Sequence, residues 1–173
     1  DRILFLLILV FLPKQNSMEE LILNQHNKSE YPPMHTAEHL LNQTMCRMFG
    51  CERSRDTHIE RKKSQINFIL QERPTDKQIA DIEEKINKLI AEDLPITYEF
   101  VDREHIPAGV KLDRLPEDAS ETIRIVRIGD YDVCPCIGAH VASTAEIGSF
   151  RITSTSYNDT SFRIVYKLGE KEK

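Results

Sequence analysis

Residues 75–101 read TDKQIADIEEKINKLIAEDLPITYEFV, a helical pattern followed at once by a strand pattern. Thr75 and Gln78 have the spacing of an N-terminal capping box. Apolar residues then recur at steps of three and four, at Ile79, Ile82, Ile86, Leu89 and Ile90. This spacing predicts a helix over residues 76–92 with one apolar face. Pro95 then precedes a strand predicted at Ile96–Val101.

A second helical pattern lies upstream, after Pro32 and Pro33. From Met34 to Phe49 the apolar residues again recur at helical steps, and Gly50 follows as a C-terminal cap. Residues 51–63 predict a loop or an exposed hairpin arm, and residues 102–120 an irregular segment. Strands are predicted at 64–71, 122–128, 131–134, 148–154 and 161–168. Two helices with these strands predict an α+β fold, in which the helices lie against an antiparallel or mixed sheet.

Size and composition indicate one globular domain. The chain has 173 residues, of which 40% are hydrophobic and 29% charged, so it is long enough to bury a substantial core. The net charge of −5 does not favour a polyanion, and a nucleic-acid partner would have to meet a local basic patch. The four cysteines, in a chain that needs no stapling, favour thiols in a reducing compartment and therefore a cytoplasmic location.

The N-terminus carries ten consecutive apolar residues, Ile3 to Leu12. This run is too short to span a bilayer, and no small-x-small cleavage pattern follows it, as a signal peptide would require. We interpret residues 1–17 as a non-native or disordered extension, with Met18 as the natural start. The alternatives are an extra strand over the core or a short membrane anchor. The expected organisation is then a leader at 18–33, a domain at 34–168 and a tail at 169–173.

Two pairs of residues have the spacing of metal ligands. His35 and His39 lie four residues apart on the predicted helix, which places both imidazoles on one face. Cys136 and His140 are also four apart, with Gly138 between them to permit a tight turn. Either pair alone is compatible with buried histidines or a buried thiol. Together they predict a zinc site, because thiolate and imidazole suit zinc better than magnesium or calcium.

Two further residues compete for roles at this site. Cys134 would face the same way as Cys136 on an extended strand, and is the main alternative sulfur ligand. Glu38 completes His-x-x-Glu-His, the inverted zinc-peptidase pattern, in which the glutamate is the general base. A peptidase would need a distant carboxylate ligand such as Glu104 or Glu117, and would leave Cys136 unexplained. Glu38 is otherwise a solvated helix residue.

A basic segment follows the first helix and includes Arg61, Lys62 and Lys63. Such a run is usually a solvated face, but near a metal site it is a candidate for binding a phosphate backbone. The chain has no tryptophan and few aromatic residues near this segment, so the sequence gives little sign of base stacking. No partner protein is implied.

The motifs resemble a known family. His35-Thr-Ala-Glu-His39-Leu-Leu is similar to the His-x-x-x-His-Leu-Leu helix of the editing domain shared by alanyl- and threonyl-tRNA synthetases. Cys136-Ile-Gly-Ala-His140-Val is similar to that family's Cys-x-Gly-x-His-Val loop. Ser143-Thr-Ala-Glu-Ile-Gly148 resembles its Thr-Gly-Glu-Ile-Gly segment, with alanine at 145 where relatives often have glycine. The resemblance runs from Met34 to Leu168 without an aminoacylation domain, and therefore points to the freestanding short form, the AlaX proteins.

This resemblance implies two helices packed on curved, mostly antiparallel sheets around a zinc cleft. It also implies hydrolysis of mischarged tRNA(Ala) carrying serine or glycine, with Thr144 contacting the substrate. Four protein ligands close a tetrahedral site, and closed sites are usually structural, whereas a catalytic zinc keeps one position open. The sequence therefore leaves open whether this zinc is catalytic or structural. Glu38 and Glu146 are the candidate carboxylates for orienting the imidazoles. Three hypotheses follow, namely a zinc-dependent deacylase, a non-catalytic zinc-stabilised binding module and a metallopeptidase.

Overall fold

The computed structural model describes residues 31–108, 110–111 and 122–169. The predicted extension at 1–17, most of the leader at 18–33 and residues 170–173 of the tail lie outside the described residues. Among the residues that the structure does describe, no helix has the length and apolar character needed to cross a bilayer.

Two helices and seven strands make up the described chain. The elements in order are α1 (Pro32–Phe49), β1 (Thr57–His58), β2 (Ser64–Ile69), α2 (Asp76–Ala91), β3 (Ile96–Asp102), β4 (Thr122–Ile128), β5 (Asp132–Pro135), β6 (Ser149–Asn158) and β7 (Ser161–Gly169). Short 3₁₀ turns lie at Arg103–His105 and Thr144–Glu146. The strands form a four-stranded sheet in the order β1-β2-β7-β6 and a three-stranded sheet in the order β3-β4-β5, both antiparallel. The predicted α+β class is confirmed.

Helix α2 begins at the predicted capping box. The Thr75 hydroxyl accepts a hydrogen bond from the Gln78 backbone N–H at 3.2 Å, and the Thr75 N–H donates to Gln78 Oε1 at 2.8 Å. These two bonds satisfy backbone donors that the first turn of a helix leaves without partners. The apolar stripe is buried at Ile82, Ile86, Leu89 and Ile90.

Helix α1 begins two residues earlier than predicted, at Pro32 rather than Met34. Proline is tolerated in the first turn because the N–H that it lacks has no intrahelical partner there. Gly50 ends the helix in the left-handed conformation, with φ at 65°, and donates its N–H to the Cys46 carbonyl. Almost every side chain of α1 from Met34 to Met45 is buried, including six polar ones: His35, Thr36, Glu38, His39, Asn42 and Thr44.

The main core lies among the two helices, the four-stranded sheet and one face of the three-stranded sheet. Its largest inaccessible side chains are Tyr166, Phe68, Phe150 and Phe162. Val126 and Ile128 on β4 face this core, whereas Ile123 and Ile125 form a smaller cluster with Val101. The three-stranded sheet therefore presents one face to α1, with the end of β5 next to the polar side chains of that helix.

Candidate metal centre

The structure brings the four predicted metal ligands together. His35 and His39 lie one turn apart on α1, and Cys136 and His140 lie in the loop after β5. One donor atom from each residue lies within 4.8 Å of the other three. The Nε2 atoms of His35 and His140 are each 3.4 Å from the Cys136 sulfur.

These spacings fit a zinc ion. With zinc–sulfur bonds of about 2.3 Å and zinc–nitrogen bonds of about 2.0–2.1 Å, tetrahedral coordination separates the two donors by roughly 3.5 Å. The observed separations of 3.4 Å agree with this value. Three imidazoles and one thiolate are also a donor set that zinc favours.

Electrostatics favour a thiolate at Cys136 and a neutral imidazole at His140. Burial lowers the pKa of His39, but the neighbouring Cys134 and Asp132 side chains outweigh burial and raise this pKa well above its usual value. Burial raises the pKa of Cys136, but the imidazoles of His140, His35 and His39 beside the sulfur outweigh burial and lower this pKa to about 2. Burial, together with the neighbouring imidazoles, lowers the pKa of His140 to about 4. A thiolate beside a neutral imidazole is the state in which these groups bind a metal.

Each imidazole is oriented through its Nδ1 atom. His35 Nδ1 lies 3.2 Å from the Ala139 carbonyl, to which it donates. His140 Nδ1 lies 3.1 Å from the Thr36 hydroxyl, which itself donates to the Pro32 carbonyl and so accepts from His140. These contacts place the proton on Nδ1 and leave Nε2 to face the cluster, as ligating histidines require.

His39 is oriented by a carboxylate that the sequence reasoning missed. Asp132 Oδ2 lies 3.4 Å from His39 Nδ1, and the Asp132 side chain is 1% exposed. Arg53 donates hydrogen bonds to both oxygens of the same carboxylate through its two terminal nitrogens. Burial raises the pKa of Asp132, but bonding to His39 and Arg53 outweighs burial and lowers it to about 2. The sequence does contain a signal for this role of Asp132. Alternate residues of a strand point to the same face, so Asp132 lies on the face of Cys134 and Cys136.

The two carboxylates proposed for this role do not fill it. Glu146 is exposed on the second 3₁₀ turn, and Glu38 approaches His39 from the Nε2 side at 3.9 Å. Asp132 takes the role because β5 carries it directly beside α1.

Cys134, the alternative sulfur ligand, lies on the other side of the His39 ring. Its sulfur is 3.3 Å from Nδ1 of His39 and 3.9 Å from Asp132 Oδ2. It is therefore part of the outer group around His39 and not of the four-donor cluster. The four cysteines form no disulfide within the described residues.

Glu38 is a buried residue, so its interpretation as a solvated helix residue is wrong. Its Oε1 atom accepts a hydrogen bond from the Asn42 amide, and Asn42 Oδ1 accepts from the Ser54 backbone N–H at 2.8 Å. Glu38 lines a cleft of about 280 Å³ together with His35, His39, Arg53, Cys134 and Cys136. Arg53 Nε is buried in this region without a hydrogen-bond partner among the described residues.

Thr144, predicted to contact substrate, lies elsewhere and is fully buried. Its hydroxyl donates to the Leu89 carbonyl and accepts from the Leu94 N–H, each at 2.8 Å. It therefore ties the end of α2 to the second 3₁₀ turn, while its contact with substrate stays a prediction.

The basic residues Arg61, Lys62 and Lys63 are exposed between β1 and β2, as the predicted hairpin arm requires. The Arg61 guanidinium lies 5.0 Å from the centre of the Tyr31 ring. Thr57, at the start of the same arm, lines the cleft. Of the carboxylates suggested for a peptidase, Glu104 is exposed on the first 3₁₀ turn, and Glu117 lies outside the described residues.

Comparison with known proteins places this site in a family. Residues 123–166 match the family model of the threonyl and alanyl tRNA synthetase second additional domain. The chain is 31% identical over 146 residues to the alanyl-tRNA editing protein AlaX-L of Pyrococcus horikoshii, a match covering 82% of this chain and 34% of that protein. Residues 123–166 thus belong to the domain family that threonyl- and alanyl-tRNA synthetases share, and most of the chain is similar to an alanyl-tRNA editing protein. The resemblance seen in the two ligand motifs is thereby confirmed.

Synthetases contain the same domain. The alanine–tRNA ligase of Methanococcus vannielii is 28% identical over 160 residues, or 90% of this chain and 18% of the ligase. The ligase of Shouchella clausii is 32% identical over 123 residues, or 70% of this chain and 14% of the ligase. The chain thus spans about a third of the editing protein and less than a fifth of either ligase.

Proposed function

We propose that this chain is a zinc-dependent hydrolase of mischarged aminoacyl-tRNA, acting on Ser-tRNA(Ala) or Gly-tRNA(Ala). The observation that carries the proposal is the convergence of three imidazoles and the Cys136 sulfur beside a cleft that contains a buried carboxylate. The relationship to a protein named for alanyl-tRNA editing supports the choice of substrate.

His35, His39, Cys136 and His140 would hold the zinc ion. When bound, the metal supplies a positive charge that polarises the ester carbonyl or a water molecule. The outer contacts of Ala139, Thr36 and Asp132 keep the three imidazoles in the required tautomer.

Glu38 is the proposed general base. Asn42 occupies its Oε1 atom, and Oε2 is the oxygen nearest the cluster, 3.9 Å from His39 Nε2. Oε2 takes a proton from the attacking water as the new carbon–oxygen bond forms at the ester carbonyl. The proton then passes to the ribose oxygen as the ester bond breaks, which releases the amino acid and leaves an intact tRNA.

The substrate's backbone phosphates would meet the hairpin arm. Arg61, Lys62 and Lys63 are exposed there, and Thr57 of the same arm lines the cleft. Because the whole chain carries a net charge of −5, a local patch of this kind is what a polyanionic substrate requires. Mischarged tRNA as substrate also fits the cytoplasmic location expected from the cysteines.

One observation favours a second candidate, a non-catalytic zinc-stabilised binding module. All four donors of the cluster are protein side chains, and four protein ligands are typical of structural zinc sites, whereas catalytic sites keep one position open. The peptidase alternative receives no such support, because no carboxylate belongs to the four-donor cluster in the described residues.

A deacylation panel tests the proposal. Purified protein is incubated with Ser-, Gly- and Ala-tRNA(Ala) and with Ser-tRNA(Thr), with and without chelator, and the metal content is measured in parallel. We expect rapid release of serine or glycine from tRNA(Ala), lost on chelation. Metal bound in a one-to-one ratio without release from any substrate would contradict the hydrolase and support the binding module.

Two variants separate binding of the metal from catalysis. His39→Ala is expected to lose both metal and hydrolysis. Glu38→Gln keeps the acceptor for Asn42 and is expected to retain metal while kcat falls about 10²- to 10⁴-fold. Glu84→Gln, on an exposed side chain of α2, is the matched control. Wild-type kcat in Glu38→Gln would exclude Glu38 as the base.

A further inference from the structure

Two aromatic side chains are exposed on the three-stranded sheet. Tyr98 and Phe100 lie on the edge strand β3 and remain 44% and 47% exposed. Being two residues apart on one strand, they point to the same face.

The strand register places this pair in line with the metal centre. Phe100 pairs with Arg124 on β4, and the Cys136 N–H donates to the Arg124 carbonyl at 3.1 Å. Directly paired residues of antiparallel strands share a face. Phe100, Arg124 and Cys136 therefore form one row across the sheet, and two strand spacings put Phe100 about 10 Å from Cys136.

Arg124 connects the aromatic pair to the metal-binding loop. Its Nε atom donates to the Cys136 carbonyl at 2.6 Å, and Nη2 donates to the Gly138 carbonyl. Its guanidinium carbon lies 4.9 Å from the centre of the Tyr98 ring. The cation is thus held in place between the aromatic side chains and the loop that carries Cys136 and His140.

We propose that Tyr98, Phe100 and Arg124 form a stacking shelf for nucleobases of the unpaired 3′ end of the tRNA. This inference rests on the proposed function, in which the aminoacyl ester at that end enters the cleft beside Cys136. Unpaired bases expose their faces and stack on aromatic rings and on arginine. A net charge of −5 limits the contribution of phosphate contacts, so base stacking carries a larger share of the binding.

An introduced tryptophan reports directly on the shelf. The chain has no tryptophan, so Phe100→Trp in the zinc-loaded full chain gives a single indole signal. A short single-stranded RNA with the tRNA acceptor-end sequence is the probe. We expect indole quenching that saturates with RNA, and no quenching in Met48→Trp, a position 39% exposed on the last turn of α1. Equal quenching at both positions, or none at position 100, would overturn the shelf.

Truncation measures the contribution of each ring. Tyr98→Ala and Phe100→Ala are each expected to weaken RNA binding roughly 5- to 150-fold, as the loss of one stacked base predicts. The same change is expected in KM for deacylation, with kcat retained. Tyr98→Phe is expected to recover the affinity lost in Tyr98→Ala, because the ring and not the hydroxyl stacks. Met48→Ala is the matched control.

An RNA lacking its terminal bases completes the test. If the shelf stacks bases, this RNA binds the wild type more weakly than intact RNA, and the difference in affinity between the two RNAs is smaller in Phe100→Ala. Deacylation with normal KM in both alanine variants would refute the shelf and leave the proposed function standing. RNA stacking without deacylation would refute the proposed function and keep the shelf.

A second copy of the chain is the alternative occupant of this face. Dimerisation that depends on protein concentration and is abolished by Phe100→Ala, in a protein that does not bind RNA, would assign the face to that copy and overturn the proposal.

Discussion

Replacing Asp132 by asparagine tests the buried network behind the metal centre. The carboxylate is held by Arg53 through both terminal nitrogens and faces His39 Nδ1 at 3.4 Å. The two side chains of the ion pair are only 1% and 16% exposed. The asparagine side chain has the same shape but no charge, so the substitution leaves the buried Arg53 cation without its hydrogen-bonded counter-charge.

The expected magnitude follows from the burial and the pKa. The pKa of Asp132 falls from 3.8 to about 2 in the folded protein, and its charge interactions therefore contribute roughly 2 kcal/mol at neutral pH. Removing one partner of a buried ion pair costs about 3–5 kcal/mol, because the other charge stays buried. We expect Asp132→Asn to lower the free energy of unfolding by about 3 kcal/mol, which corresponds to a fall in Tm of about 6–12 °C.

Urea unfolding of the metal-free protein at neutral pH measures this loss, and a metal competition assay measures the accompanying change in zinc affinity. Because Asp132 orients His39, we expect the affinity to fall about 10- to 100-fold. Glu99→Gln is the control, since the exposed Glu99–Arg127 pair contributes less than about 1 kcal/mol. A free energy of unfolding within about 0.5 kcal/mol of the wild type, with unchanged zinc affinity, would refute the reasoning.

Three further changes have defined outcomes. Thr144→Val removes a hydroxyl that bridges Leu89 and Leu94, so we expect a loss of about 1–3 kcal/mol in denaturant unfolding, with KM for deacylation unchanged. Because folding lowers the pKa of Asp132, its contribution to the free energy of unfolding should be complete above pH 4 and disappear as the pH falls through about 2. Denaturant unfolding measured across this pH range should show the loss in the wild type and not in Asp132→Asn. Removal of zinc should lower Tm, because a metal present at a thousand times its dissociation constant stabilises the folded state by about 4 kcal/mol. Identical scanning calorimetry traces with and without chelator would contradict a bound metal.

Local patterns in the sequence were sufficient to predict the helices and the candidate metal ligands. The capping box and apolar stripe of α2 involve residues within a few positions of each other, and helix geometry converts those spacings into a face. The same applies to His35 and His39, whose i and i+4 spacing places both rings on one side of α1. The Cys136–His140 pair is local as well, and two local pairs of matching chemistry were enough to predict one cluster.

The groups that orient these ligands depend on pairings across the chain. Arg53 and Asp132 are in contact although they are 79 residues apart in the sequence. Tyr98 on β3 and Arg124 on β4 are in contact although they are 26 residues apart. Strand pairing and the packing of β5 against α1 decide such contacts, and a single sequence carries little signal for them because any strand can pair with several others.

The sequence by itself determined the two helices, most of the strand segments, the four candidate metal donors and the resemblance to the editing family. Only the tertiary structure decided that Thr144 is a buried brace, that Glu38 lines a cleft, and that Asp132 orients His39. The physical reason is the range of the interactions involved. Helical faces and turn caps are set by covalent spacing over a few residues, whereas burial, ion pairing and the sharing of a sheet face arise only when distant segments pack together.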